Sequence, residues 1–322
     1  MNVAVIGVGN MGQHHARNYS EINEVNLVAV ADLNEEAGKA VAKRFECKHY
    51  SDYKEMLKSE KIDLVTIAVP TKFHKKVALD CIEKGIHILI EKPIAATVAE
   101  AKEIVDAAKK KGIKFTVGHI ERFNPAVQKL KQIIDKGELG EITSIRTTRI
   151  GPMPVQIKDA NVVIDIGVHD IDLMNWFYGK LPTKIMANGG NALNKTQQDY
   201  IDIFMQYGKS AGVAQANWIT PVKIRKMVVS GTKAYAELNF ITQELDLYKS
   251  DYSLEYDDFG EFVIKFGQPR DKEVVKLESF EPLKAEIESF IKAIKKDTIP
   301  VVTAKEAMDA LEIAQKIDKM VH

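Results

Sequence analysis

Apolar residues along the first third of the chain follow two alternating patterns. Strand-like apolar runs occupy residues 27–31, 64–69, 86–90 and 114–117. Helical spacing of apolar positions is found between them, at residues 35–44, 73–83 and 98–110. Strands that alternate with helices of this length predict a doubly wound α/β fold, in which helices cover both faces of a parallel sheet.

The second half of the chain consists of short β-rich runs separated by turns. Strands are predicted at residues 142–150, 183–187, 200–206, 211–218, 226–230 and 234–239. Helices are predicted at residues 124–134, 164–178, 283–295 and 303–320. This pattern predicts an α+β domain with a large, open, mostly antiparallel sheet. We expect a first domain over residues 1–120 and a second over residues 121–322, whose C-terminal helices can pack back on the first.

An open sheet of this kind buries one face on its helices and leaves the other face in need of cover. Pairing of sheets between subunits supplies that cover. We therefore expect a homodimer or homotetramer that assembles through the C-terminal sheet.

The chain begins with a strand–turn–helix pattern that is typical of dinucleotide-binding proteins. Gly7, Gly9 and Gly12 form a GxGxxG motif directly after a Val/Ile run. In such a motif the first glycine allows a tight turn, the second lets backbone approach a pyrophosphate, and the third lets helix and strand pack closely. The helix that opens at Asn10 and Met11 aims its free N–H groups at the phosphates. The alternative is a glycine-rich turn without a ligand.

An acidic residue twenty positions after the motif indicates which dinucleotide binds. Asp32 ends the second apolar run, where a carboxylate accepts hydrogen bonds from ribose hydroxyls and repels a 2′-phosphate. The four residues that follow, Leu33-Asn34-Glu35-Glu36, include no arginine. The sequence therefore favours NAD over NADP. Asp32 can also cap the helix that begins near Glu35.

Composition and charge exclude several classes of partner. The chain has 322 residues, with 45 Lys+Arg and 45 Asp+Glu, so it carries no electrostatic footprint for nucleic acid or an anionic membrane. The two cysteines, Cys47 and Cys81, have neither a CxxC spacing nor nearby histidines. No run of about twenty apolar residues is present, and the first strand leaves no room for a signal peptide. We expect a cytoplasmic protein without a metal site.

Two further groups of residues suggest proton chemistry. Lys92, between Glu91 and Pro93, ends the fourth apolar run, where the carboxyl ends of strands line the ligand crevice of a doubly wound sheet. The spacing of Asp165, His169, Asp172 and Trp176 places them on one stripe of a helix. Histidine is suited to moving protons near neutral pH, and a carboxylate one turn away can hold it in position. A metal site and a buried structural histidine are the alternatives.

Three motifs together resemble the Gfo/Idh/MocA oxidoreductase family: the GxGxxG motif, Glu91-Lys92-Pro93, and Asp165-x-Gly167-x-His169-x-x-Asp172. The resemblance implies a Rossmann domain followed by an α/β domain with an open sheet, a nicotinamide cofactor, and a sugar or cyclic polyol substrate. The catalytic residues it implies are Lys92, Asp165 and His169. The cofactor-binding residues expected on this basis are Gly7, Gly9, Asn10, Met11, Gly12, Asp32, Pro70, Thr71, His74, Glu91 and Lys92.

Residues 118–125 and 218–226 are similar to the nucleotide-sugar 3-dehydrogenases of that family. This similarity implies oxidation of the C3 hydroxyl of UDP-N-acetylglucosamine or a related UDP-sugar. Lys223 and Arg225, on one face of a predicted strand, are suited to a diphosphate, with Lys226 and Arg149 as further cations. The substrate-binding residues expected are His119, Arg122, Asn124, Arg149, Asp165, His169, Lys223 and Arg225. A solvated, charged strand edge, a free sugar or inositol as substrate, and a non-catalytic NAD-sensing protein are the alternatives.

Overall fold

The computed structural model describes residues 1–154, 160–249 and 272–321. These residues form two compact units. The first contains Met1–Phe123 and Glu281–Ile313, and the second contains Asn124–Phe280 and Ala314–His322. The sequence analysis placed the boundary after residue 120, three residues earlier, and left open where the C-terminal helices belong.

The first unit is built on six parallel strands, in the order β3-β2-β1-β4-β5-β6. The strands are β1 Asn2–Ile6, β2 Asn26–Ala31, β3 Lys48–Tyr50, β4 Leu64–Ile67, β5 His87–Ile90 and β6 Phe115–Val117. The helices are α1 Asn10–Glu21, α2 Glu35–Arg44, α3 Tyr53–Ser59, α4 His74–Glu83 and α5 Val98–Lys111, with 3₁₀ turns at Thr71–Phe73 and Ile120–Phe123. The predicted doubly wound sheet is confirmed; β3 and α3 were not predicted because both are short and polar.

Strand β1 shows how this sheet is covered on both faces. Ala4 and Ile6 face one apolar cluster, and Val3 and Val5 face the other. Alternate side chains of a strand point to opposite faces, so a strand that is buried throughout needs a layer of helices on each side. The order of the strands reverses between β1 and β4, and in such sheets ligands bind at the carboxyl ends of the strands at that point.

The second unit contains an eight-stranded sheet in the order β14-β13-β12-β11-β7-β10-β9-β8. Its neighbouring strands are antiparallel except for the parallel pair β7 and β10, which confirms the predicted open, mostly antiparallel sheet. The strands are β7 Ile142–Pro152, β8 Lys184–Gly190, β9 Tyr200–Tyr207, β10 Ser210–Asn217, β11 Ile219–Gly231, β12 Ala234–Asn239, β13 Glu244–Lys249 and β14 Lys272–Val274. The helices of its first part are α6 Pro125–Asp135 and α7 Val168–Tyr178.

In the part of the chain that the structure describes, only one face of this second sheet is fully buried. On β9, Ile201, Ile203 and Met205 are buried, whereas Asp202 and Gln206, at alternate positions, are exposed. Helices α6 and α7 contact the sheet through β12, β13 and β10. The period-two pattern of the sequence therefore reports a sheet with one covered and one open face.

Two helices complete the described chain, α8 Pro282–Lys295 and α9 Ala304–Asp318. Leu283, Ile287 and Phe290 of α8 belong to the same apolar cluster as Val3 and Val5 of β1. Helix α8 thus covers one face of the first unit's sheet although it lies far away in sequence. In the part of the chain that the structure describes, no helix is long and apolar enough to cross a bilayer.

Candidate active site

The glycine motif forms a tight turn that leaves room for a ligand. Gly7 has φ +85°, in the left-handed region, and a Cβ at Gly12 would lie 1.8 Å from the carbonyl oxygen of Gly7. A Cβ at Gly9, in contrast, would have no atom within 4 Å. Gly9 is the N-cap of α1, so the first N–H groups of that helix point out of the turn. The residues present therefore fit a dinucleotide pyrophosphate.

Asp32 lies at the end of β2 and connects this turn to the next helix. One carboxylate oxygen accepts from Val8 N at 2.7 Å and the other accepts from Asn34 N at 2.8 Å. The N-cap of α2 is Asn34, whose side chain accepts from Ala37 N, so the interpretation of Asp32 as the helix cap is wrong. Each carboxylate oxygen still has a lone pair for a ribose hydroxyl.

Lys92 is the second residue after β5, at the carboxyl end of the strand as predicted, and is half-buried. Glu91, the residue before it, is 9% exposed, and its carboxylate contacts His15 Nε2 at 2.8 Å and the backbone N–H of Lys92 at 3.3 Å. The Lys92–Pro93 peptide bond is cis. The side chain of Glu91 is thus used inside this unit, which corrects the prediction that it contacts the cofactor.

Three of the predicted cofactor ligands lie in the segment after β4 and differ in their exposure. Pro70 and Thr71, at the start of a 3₁₀ turn, are accessible at the carboxyl end of their strand. His74 is 1% exposed, and its two ring nitrogens lie 2.9 Å from the carbonyl oxygens of Val69 and Pro93. Both polar atoms of this ring contact backbone, so His74 is a structural residue and its prediction as a cofactor ligand is corrected.

Asp165 and His169 lie at the start of the helical segment of the second unit, but not on one uniform helix. A π-helical turn spans Val163–Gly167 and only then does α7 begin. The i, i+4 spacing that placed Asp165 and His169 on one stripe assumes α-helical geometry, which a π turn interrupts. Both side chains are nevertheless half-buried, whereas Asp172 is 2% exposed.

Asn161, which the sequence analysis missed, holds this turn. Its side-chain oxygen accepts from the N–H groups of Val163 and Ile164, and its side-chain nitrogen donates to Asp318 at 2.6 Å. An asparagine just before an apolar helical run is a cap signature, so the local part of this role was detectable in the sequence. The pairing with Asp318 was not, because the two residues are far apart in the chain.

Four of the predicted substrate ligands have buried side chains: His119, Arg122, Asn124 and Arg149. Arg122 donates to Glu306 at 3.0 Å and to Val301 O at 3.3 Å, all within the first unit. This contact gives Arg122 a structural role, because a charge that is removed from water needs a partner. Its prediction as a substrate ligand is corrected. His119 is 2% exposed and its backbone carbonyl accepts from Arg122 N at 3.1 Å, which leaves its role as a substrate ligand a prediction.

Asn124 and Arg149 contact the same residue, Phe240, in the second unit. Asn124 caps α6 and donates to Phe240 O at 3.0 Å, and the Arg149 guanidinium lies 4.1 Å from the Phe240 ring. Arg149 also donates to Asp170 at 2.7 Å in an ion pair whose two side chains are almost fully buried. These contacts correct the prediction that Asn124 and Arg149 bind substrate.

Lys223 and Arg225 lie on β11, where the pairing with β7 is irregular. The register shifts between Ile219 and Ile224, so simple alternation does not apply at Lys223. Lys223 is exposed, while Arg225 pairs across the strands with Arg149 and donates to Ile150 O at 2.9 Å. Their predicted shared face therefore does not follow from the strand geometry.

Comparison with known proteins identifies the family to which this chain belongs. The model "Oxidoreductase family, NAD-binding Rossmann fold" matches residues 1–119, and the "GFO/IDH/MocA C-terminal domain" matches residues 127–237. The UDP-N-acetylglucosamine 3-dehydrogenase of Acidithiobacillus ferrooxidans is 30% identical over 297 residues, which is 91% of this chain and 88% of that protein. The chain belongs to the Gfo/Idh/MocA oxidoreductase family.

Other members of the family are similar to a comparable degree. The scyllo-inositol 2-dehydrogenase (NAD(+)) of Bacillus subtilis is 26% identical over 324 residues, which is 96% of this chain and 91% of that protein. A solved structure of the Acidithiobacillus ferrooxidans enzyme GnnA matches with a TM-score of 0.87 and 27% identity, and covers 100% of this chain and 97% of that one. The predictions of an oxidoreductase and of an NAD-binding Rossmann domain are confirmed, while the substrate stays a prediction.

Metal chemistry has no support in the described part of the chain, where no three His, Cys, Asp or Glu side chains are grouped to hold an ion. Cys81 is buried, and burial raises the pKa of the half-buried Cys47 thiol to about 11. Thiolate ligands require deprotonation, which such a pKa disfavours.

Removing the negative charge at residue 32 and adding a positive charge at residue 33 is expected to shift cofactor preference from NAD toward NADP. Asp32→Ser removes the carboxylate but keeps an oxygen acceptor for Val8, and Leu33→Arg adds a cation where the native side chain is 86% exposed. A charge-assisted bond to the 2′-phosphate contributes about 1.5–3 kcal/mol. Fluorescence titration with NADH and NADPH measures the shift.

Leu33→Arg alone is the control and should change the preference less than the double variant. A wild-type protein that already binds NADPH more tightly than NADH would contradict the role of Asp32.

Proposed function

We propose that the protein is an NAD-dependent dehydrogenase that oxidises a sugar ring hydroxyl, with the C3 hydroxyl of UDP-N-acetylglucosamine or a related UDP-sugar as substrate. The observation that carries the proposal is a lysine at the end of β5, in the sheet that bears an open glycine turn, together with an accessible His169 at the start of α7. Similarity over nine-tenths of the chain to a UDP-N-acetylglucosamine 3-dehydrogenase supports the substrate class.

The roles of the residues follow from their chemistry. Bound NAD⁺ supplies the hydride acceptor. His169 removes the proton of the hydroxyl that is oxidised, because imidazole accepts protons near neutral pH. The Lys92 ammonium donates a hydrogen bond to the same oxygen and stabilises its developing negative charge. Asp165 orients the sugar and the histidine.

Inositol or a free sugar is the second candidate substrate, because inositol dehydrogenases match this chain at similar identity. The cations of β11 favour the UDP-sugar. Lys223 is exposed, and Arg225 lies opposite Arg149, whose own charge is already paired with Asp170. A diphosphate carries two negative charges and is suited to paired cations. A non-catalytic NAD sensor would have no use for both Lys92 and His169.

Removing either proposed acid–base group is expected to abolish most turnover while NAD binding persists. General acid–base catalysis contributes about 10²–10⁴ in rate, so His169→Ala should lose turnover on that scale. Lys92→Ala should lose about 10²–10³, the usual effect of removing a donor that stabilises a developing negative charge. The measurement is NADH absorbance with UDP-sugars and free polyols; if the cofactor stays bound, a keto-acid is added to regenerate NAD and the oxidised sugar is measured instead. Unchanged turnover in either variant would remove that residue from the mechanism.

Lys223 provides the test of the substrate class. If a diphosphate binds beside β11, Lys223→Ala should raise the Michaelis constant for the UDP-sugar by the equivalent of about 1.5–3 kcal/mol and leave NAD affinity unchanged. Arg225→Ala should act in the same direction, and Lys184→Ala, at an exposed position of β8 in the same sheet, is the matched control. UDP should compete with the sugar substrate and not with NAD.

A free hexose or inositol that is oxidised efficiently, without inhibition by UDP, would contradict the nucleotide-sugar assignment and leave the dehydrogenase intact.

We further propose that two or four copies assemble through the open face of the second sheet. One row of cross-strand neighbours on that face runs Met186, Phe204, Val213, Arg146 and Val228, so four of its five members are apolar. Met186 is 48% exposed and the others are at most partly covered in one chain. A mostly apolar row on an open sheet is stabilised when a second sheet covers it.

Placing a charge in this row is expected to dissociate the oligomer. Phe204→Glu puts a carboxylate into the row beside Val213, whereas Gln132→Glu adds the same charge at an exposed position of α6, which packs on the other face of the sheet. Light scattering coupled to size-exclusion chromatography should give a smaller mass for Phe204→Glu only. A monomeric wild-type protein would exclude the assembly.

A further inference from the structure

Two histidines that the proposed chemistry does not use are buried beside the segment that carries Lys92. His15, on α1, is fully buried, and His74, at the start of α4, is 1% exposed. A ring nitrogen away from water needs a hydrogen-bond partner, because an unpaired polar group in the interior is costly. One partner of each ring is a residue that flanks Lys92.

His15 contacts the residue before Lys92. Its Nε2 lies 2.8 Å from Glu91 Oε1, and Glu91 Oε2 accepts from the backbone N–H of Lys92 at 3.3 Å. Burial raises the pKa of Glu91, but the hydrogen bond from His15 and the charge of Lys92 outweigh burial, so this pKa falls below its usual value. An ionised carboxylate can only accept, so Nε2 of His15 is the donor.

The orientation of the His15 ring is itself supported by neighbours. Thr66 Oγ1 lies 3.5 Å from His15 Nδ1, and the Tyr19 hydroxyl lies 2.8 Å from Thr66 Oγ1. On the other side of the carboxylate, a Cβ at Gly118 would lie 3.1 Å from Glu91 Oε2, so glycine leaves the space that Glu91 needs. A ring with both nitrogens directed to fixed groups has one orientation.

His74 contacts the residue after Lys92. Its Nδ1 lies 2.9 Å from Pro93 O, and its Nε2 lies 2.9 Å from Val69 O. Burial lowers the pKa of His74, although both carbonyl contacts oppose the shift. A neutral ring donates to one of these two carbonyl oxygens and a protonated ring donates to both. The ring thus lies between the chain after β5 and the chain after β4, and the residues on both sides of Lys92 are contacted: Glu91 at its carboxylate and Pro93 at its carbonyl.

We propose that His15, through Glu91, and His74, through Pro93, are positioning residues that fix where the Lys92 ammonium lies. The inference rests on the proposed catalytic role of Lys92 and extends it to two buried side chains. Supporting residues of this kind matter because catalytic groups must be held within a fraction of an ångström of the productive geometry.

Asparagine and glutamine substitutions separate positioning from packing. The amide nitrogen of asparagine approximates the place of histidine Nδ1, and that of glutamine approximates the place of Nε2. His15→Gln therefore keeps a donor for Glu91, which His15→Asn loses. His74→Asn keeps a donor for Pro93, which His74→Gln loses. If the histidines position Lys92, asparagine should be the more damaging substitution at His15 and glutamine the more damaging one at His74. If only lost volume matters, the same substitution should be the more damaging one at both sites.

The readout that needs no substrate is the reactivity of Lys92 itself. Limited acetylation with acetic anhydride, followed by trypsin and mass spectrometry, reports Lys92 inside the peptide of residues 85–102, because trypsin does not cleave before Pro93. We expect the labelling rate of Lys92, relative to exposed Lys48, to change severalfold in His15→Asn and His74→Gln and to stay near wild type in the other two variants. In the same two variants kcat should fall by up to about 100-fold with an unchanged KM for NAD.

His87→Asn is the matched control, because His87 also bonds backbone in this sheet, at Lys114 N, but at the opposite end of β5. It should leave Lys92 labelling unchanged. Equal effects of asparagine and glutamine at both sites would mean packing alone and overturn the inference.

Lys92→Met distinguishes this inference from the proposed function. Full turnover in Lys92→Met would contradict the catalytic role of Lys92, while the labelling rates would still report whether the histidines position it. Loss of turnover in Lys92→Met, with all four histidine variants equal to wild type in labelling and kcat, would overturn the positioning role alone.

Discussion

The contact on which the first unit depends is the close approach of α1 to the end of β1. A Cβ at Gly12 would overlap the carbonyl oxygen of Gly7, so only glycine permits this distance between helix and turn. The approach fixes the position of α1 on the sheet and directs its N-terminus to the open space at Gly9. Once α1 is placed, polar side chains on its following turns reach fixed partners: His15 reaches Glu91, Asn18 reaches Glu281, and Tyr19 reaches Thr66.

One helix therefore serves both the cofactor cradle and the lysine. The N-terminal end of α1 presents N–H groups where phosphates bind, and one turn later His15 contacts the carboxylate next to Lys92. A change that displaces α1 moves both its N-terminus and His15, because tightly packed interiors transmit displacements rather than absorb them. The glycine turn and the carboxylate next to Lys92 are thus both in contact with one helix of this unit.

The features that depend on local sequence pattern were predicted correctly. The glycine turn, the parallel strands and the position of Lys92 at a strand end follow from short-range periodicity and from turn chemistry. Prediction failed where the partner of a polar residue is distant: Glu306 for Arg122 and Phe240 for Asn124 are more than a hundred residues away. The π turn at Val163–Gly167 was missed because apolar residues continue through it without a break.

Two buried carboxyl groups of the first unit, Glu91 and Glu286, influence each other's ionisation. Glu286, on α8, is 1% exposed, and among the described residues neither of its carboxyl oxygens has a hydrogen-bond partner. Burial and the charge of Glu91 raise the pKa of Glu286 well above its usual value, which favours the neutral form of this carboxyl. Two ionised carboxylates would repel each other in that environment. For Glu91 the hydrogen bond from His15 and the charge of Lys92 outweigh burial and lower the pKa, so the negative charge is favoured on Glu91, where His15 has the acceptor that orients its ring.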